Sequence, residues 1–188
     1  MHGSRSARRW AASATLVLLL SACGGGGGGL GGGKVGAQRW IKSACTSIGS
    51  WVSDIQKRVT AVSSQHPSTP QEGKKTITDF FDAVISDTGK LIDDLKAAGT
   101  PDVPNGDQIE TAIVTALEKA KSLLEQARSR VPSLPTDNPQ AFLNAIEDMS
   151  RAVQRAFQQA GKQFSNLRSP ELEQAASQEP ACKTIGAA

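Results

Sequence analysis

The sequence predicts an all-α protein, an up-down-up-down four-helix bundle with a short fifth helix at its C-terminal end. Three observations predict it. Apolar residues recur every three or four positions over four long segments, and no strand-like alternation stands out between them. The segments are bounded by helix-capping residues, prolines and glycines. The breaks between them are short, so consecutive helices must run antiparallel to bury their apolar stripes together.

The first helix is expected over residues 37–64, with the stripe Trp40, Ala44, Ile48, Trp51, Ile55, Val59 and Val62. The second opens at "TPQE", where Thr69 is the N-cap, Pro70 the first helical residue and Glu72 the capping-box partner. Its apolar series is Ile77, Phe81, Val84, Leu91, Leu95 and Ala98, with steps that alternate four and three if Thr88 is included, and Gly99 supplies the stop. After the connector "GTPDVPNG", Asn105 is the expected N-cap of the third helix, with Asp107 favourable in its first turn. The third stripe is Ile109, Ile113, Ala116, Ala120, Leu124, Ala127 and Val131. "PSLPTDNP" breaks the chain again, Asn138 caps, and Pro139 begins the fourth helix. Its stripe is Phe142, Ile146, Met149, Val153, Ala156, Ala160, Phe164 and Leu167. The alanines suggest close approach of the third and fourth helices. A fifth helix starts at Ser169-Pro170, and Pro180 is expected to end it before Cys182. Charges opposite the stripes pair along helices, as in Asp54 with Arg58 and Glu147 with Arg151, which reads as a solvated face.

The N-terminal residues give an address. "SRSARRW" is a basic n-region and "AASATLVLLL" an h-region, so residues 1–22 read as a signal peptide. The apolar run is too short for a helical span, which needs about 20 residues. Leu20-Ser21-Ala22-Cys23 resembles the lipobox of bacterial lipoproteins. That resemblance implies a diacylglycerol thioether on Cys23 after cleavage, and hence an anchor on the extracytoplasmic face of the bacterial cell membrane. Arg8-Arg9 fits twin-arginine export poorly, and general secretion is the better reading. Residues 23–36 then form a lipidated cysteine and a glycine-rich flexible tether, and residues 37–188 the helical domain.

Two further readings depend on that leader. The formal charge of +3 comes from Arg5, Arg8 and Arg9, which precede Cys23 with no acid among them. Without them basic and acidic residues balance, so charge gives no argument for nucleic acid. Setting Cys23 aside also leaves Cys45 and Cys182 as a pair in an oxidising compartment, where a disulfide would pin the tail and fifth helix across the bundle end. A free reactive thiol or a metal site is the alternative, although a metal would need further cysteine or histidine nearby.

Residues for catalysis are sparse. Histidine occurs only at His2 and His66, and tyrosine is absent, so a histidine-based triad has no material. No Glu-x-x-His pair serves a di-iron bundle, and the glycine tract lacks the Gly-Lys-Ser/Thr of a phosphate loop. Asp79, Asp82, Asp93 and Asp94 read as surface charge. Neither a cofactor, a metal nor enzymatic activity is expected. Trp40 and Trp51 return to within about 20° of each other on the first helix and flank Cys45. They either pack in the core or form the aromatic wall of a groove. Thr88 interrupts the second stripe and either bonds a carbonyl of its own helix or lines a small cavity.

"AGTPDVPNG", "LPTDNPQAF", "SPELEQAASQEPAC", the lipobox and the tryptophan-flanked Cys45 together are similar to a group of small secreted lipoproteins of actinobacterial type, described only as uncharacterised. The resemblance implies fold and address and carries no activity. The expected role is a non-enzymatic interaction or structural protein of the envelope, with the membrane and an envelope protein as partners. The alternative is a small-ligand-binding module with a pocket near Trp40, Trp51 and Thr88.

Overall fold

The computed structural model describes residues 33–161 and 169–185, with backbone alone for 156–161. The expected leader, Cys23, the glycine tract before Gly33, Phe164, Leu167 and the side chains of Ala156 and Ala160 lie outside what is described. The chain is mostly helical. In order it forms β1 (Lys34–Val35), α1 (Ala37–Ser64), α2 (Pro70–Ala97), β2 (Thr100–Pro101), α3 (Gly106–Arg130), a turn of 3₁₀ helix (Val131–Ser133), α4 (Pro139–Gly161), α5 (Pro170–Gln178) and α6 (Pro180–Ile185).

Capping chemistry explains most of the boundaries. Thr69 Oγ1 accepts from the Glu72 amide at 3.2 Å. The Glu72 carboxylate reaches back to the Ser68 amide at 2.8 Å. That amide lies one residue before the usual capping-box partner. Thr69→Ala should therefore destabilise the protein by about 1 kcal/mol, read as a lower denaturant midpoint at unchanged slope. Asn138 Oδ1 accepts from the amides of Gln140 at 2.9 Å and Ala141 at 3.1 Å, and Ser169 Oγ from that of Leu172 at 3.3 Å. Asn105 departs from expectation. It sits in the left-handed region at φ 60° and its side chain makes no capping bond. The entrance to α3 is instead a tight backbone turn, in which a Cβ on Gly106 would lie 1.9 Å from the Pro101 carbonyl oxygen. α5 ends before Pro180 as expected, with Glu179 extended as its C-cap. Pro180 also opens a further helix, α6, because proline suits a first helical position. Glu179 Oε1 supports that start by accepting from the Ala181 amide at 3.2 Å.

The folded part begins before Ala37, where the sequence suggested a tether. Lys34 and Val35 pair in parallel with Thr100 and Pro101, and the Asp102 amide donates to the Val35 carbonyl at 2.8 Å. Gly99 makes this possible. Its φ is +76°, and a Cβ there would meet the Gly33 carbonyl oxygen at 2.7 Å. Gly99→Ala should cost about 2 kcal/mol from the left-handed backbone alone. The backbone clash should add to that, seen as faster amide exchange at Val35 and Asp102.

Cross-helix partners fix the antiparallel register of the first three helices. Trp40 bonds Gly99, Trp51 bonds Thr88 and Gln65 accepts from Thr76, so numbers rise on α1 as they fall on α2. Lys96 with Glu118 and Arg128 with Asp82 do the same between α2 and α3. α4 packs on α3, and α5 and α6 lie along α1. Two core clusters result. One joins Trp40, Ile41 and Ala44 to Leu91, Leu95, Ile109, Leu172 and Ala175. The other joins Phe81 and Val84 to Leu124, Ala127, Val131, Leu134 and Phe142. Cys45 and Cys182 are disulfide-bonded, with Cα atoms 4.9 Å apart, which ties α6 to α1.

Two surface details differ from the expected pattern. Val59 is 47% exposed. At about 100° per residue it comes round roughly 100° away from Trp40 on α1, off the buried face. Arg58 does not pair with Asp54, which takes Lys57 at 2.9 Å. Its Nε donates to Asp87 Oδ2 across the α1–α2 seam at 2.6 Å. Asp87 is only 8% exposed. A carboxylate so buried requires a partner. That hydrogen bond holds the Arg58 guanidinium above its ordinary pKa. The expected Glu147–Arg151 pair is present, with Asp148 joining it.

Candidate functional site

The two tryptophans occupy different environments. Trp40 is 3% exposed, and its Nε1 donates to the Gly99 carbonyl at 2.7 Å, so both its ring and its donor are used by the core. Thr88 is fully buried and donates to the Val84 carbonyl of its own helix at 2.8 Å, the usual outlet for a hydroxyl inside a helix. Trp51 Nε1 donates to Thr88 Oγ1 at 3.2 Å, and the half-buried indole packs against the first core cluster. Trp40 and Thr88 are packed away from solvent, and of the three residues Trp51 lines the cleft described next.

Trp51 stands at one end of an apolar cleft of about 400 Å³. Ile55 and Val62 continue the wall on α1. Ile77, Phe80, Phe81 and Val84 form it on α2, Leu124 closes it from α3, and Ile146, Met149 and Val153 face in from α4. Phe80 and Phe81 meet edge to face, with ring centroids 5.8 Å apart. That is a favoured arrangement for two aromatic quadrupoles. α4 supplies one wall of the cleft. It packs on α3, and Phe142 seats against Gly73 of α2, where a Cβ would approach the ring to 2.9 Å.

The polar content of this lining is small. Among the described residues Ser150 and Gln154, four apart on α4, are its only polar members, and no charged side chain lines it. A smaller recess of about 160 Å³ shares Val62 and Phe80 and contains Arg58, Gln65, Thr76 and Asp79. Those groups already bond one another or nearby residues: Arg58 to Asp87, Thr76 to Gln65, and Asp79 to Lys75. Among the described residues no buried side-chain polar atom lacks a partner and no acidic, cysteine or histidine cluster could hold a metal. No helix among them is long and apolar enough to cross a membrane. Cys23, the expected lipidation site, lies outside the described residues.

The cleft residues that single stripes miss are Phe80 and the Ser150–Gln154 rim. Phe80 beside Phe81 was the available signal. Two adjacent aromatics widen the apolar face of α2 beyond one packing seam. Fold and site define a small helical protein with a developed apolar recess between its helices. Comparison with protein-family models, curated proteins and solved structures finds no match to this chain.

Proposed function

We propose that the chain is a lipid-anchored extracytoplasmic protein of the bacterial envelope, without enzymatic activity, that holds an apolar ligand between its helices. The four long helices are read as an up-down-up-down bundle opened between α1 and α4. The observation that carries the reading is the cleft. Ligand sites typically enclose from about 300 Å³ to about 1000 Å³. The cleft falls in that range, and its lining is almost wholly apolar. The lipobox-like Leu20–Cys23 supports the anchor on Cys23. The Cys45–Cys182 disulfide is consistent with an oxidising compartment. An envelope protein partner has less support. The large exposed hydrophobics among the described residues are Val59 and Leu143, on different helices.

Trp51 provides the test. Pyrene added to the protein should change Trp51 emission saturably, and Trp51→Phe should remove the change. Met149→Glu, which places a carboxylate in the cleft, should weaken binding at least tenfold while leaving the far-ultraviolet dichroism intact. Unchanged binding in Met149→Glu would place the ligand elsewhere and defeat the reading. For the anchor, metabolic labelling with a fatty acid should be lost in Cys23→Ala, and equal labelling of both forms would refute it.

A further inference from the structure

The cleft has a shape and a polarity that narrow the class of ligand. We propose that it takes one unbranched acyl chain of about sixteen carbons, supplied as a free fatty acid or as one tail of a membrane lipid, with the head group left in water. This rests on the reading of the cleft as a ligand site and adds the identity of the ligand.

Three observations carry it. The first is polarity. Among the described residues no cation lines the cleft. A carboxylate or phosphate drawn into it would be desolvated without a partner, whereas an acyl chain has nothing to desolvate. Ser150 and Gln154 lie at exposed positions on α4, one turn apart, and mark the edge where a polar head would meet water. The second is shape. From Trp51 to Val62 the lining follows α1 for three turns, about 16 Å. The space is a slot running along α1, the direction in which a linear chain would lie. The third is size. A cavity of about 150 Å³ accommodates the six carbons of benzene. The same proportion gives about sixteen carbons for this cleft.

The consequence is a chain-length series. Each methylene that enters the slot should tighten binding about fourfold, and the gain should stop once the slot is full. Saturated fatty acids from eight to twenty carbons, each below its micellar concentration, would be titrated into the full chain with Trp51 emission as readout. Lysophosphatidylcholines of the same lengths form the second arm, and pyrene the third. Affinity should climb with length and level off near sixteen carbons. Binding of acids alone would assign the free fatty acid as the source, and binding of the lysolipids, with or without the acids, a lipid tail. Val153→Phe, which keeps the lining apolar and fills part of the slot, should move the plateau to a shorter chain. Pyrene binding with a flat chain-length series would overturn the acyl-chain inference and leave the apolar-ligand reading standing. Failure of pyrene and of every chain would overturn both.

Discussion

Replacing both Cys45 and Cys182 by serine should destabilise the protein by about 4–5 kcal/mol. The bond spans a sequence separation of 137 residues. Restraint of an unfolded chain grows with the logarithm of the loop it closes. The local effect should be uneven. α6 is a six-residue helix with no fully buried residue of its own; it lies along α1, where Cys182 is bonded to Cys45 and Thr184 and Ile185 approach Gly49. α5 has its own anchors, the buried Leu172 and Ala175 and the Ser169 cap. After reduction, amide exchange should rise first in α6, then in α5, and least in α2 and α3. Denaturant unfolding with and without reductant measures the global term. A difference below about 1 kcal/mol would mean that the reduced unfolded chain is already compact, and the entropy account would fail.

The helices were legible because the local rules and the global packing agree. Thr69, Asn138 and Ser169 cap as their sequence contexts suggest, and the α2 series from Phe81 to Leu95 is buried as a single face. What escaped the sequence depends on contacts between distant segments. Nothing around Lys34 signals a strand, because two residues carry no period; Gly99 and Pro101, far along the chain, create the pairing. Arg58 looks like an ordinary helix-surface partner for Asp54 until the fold buries Asp87 opposite it. The candidate site divides in the same way. Trp51 was singled out from its position on α1, but the cleft it lines is a negative feature. It is a space bounded by α1, α2, α3 and α4 together, and it exists only once all four are placed. A stripe of apolar residues does not distinguish a face that meets a neighbour from one that meets a gap.

Trp40→Ala should be among the most damaging single side-chain changes in the core, at about 3–5 kcal/mol. Two effects combine in that figure. The indole is 3% exposed and packs where the start of α1 meets the end of α2, in the cluster that also contains Leu91, Leu95 and Ile109. Its Nε1 hydrogen also satisfies the Gly99 carbonyl, at 2.7 Å, just where the left-handed residue ends α2 and the chain turns into β2. Trp40→Phe separates the two. It keeps most of the ring and removes the donor, which leaves a buried carbonyl unpaired at a cost of about 1–3 kcal/mol. Trp51→Phe is the matched comparison. Thr88 keeps its own bond to the Val84 carbonyl at 2.8 Å when the indole donor is lost, and Trp51 is only half-buried. That change should cost under about 1 kcal/mol. The ordering Trp40→Ala, then Trp40→Phe, then Trp51→Phe can be read from denaturant midpoints at constant slope. If Trp40→Phe were as mild as Trp51→Phe, the hydrogen bond would not be what fastens α1 to the end of α2, and packing alone would have to account for that junction.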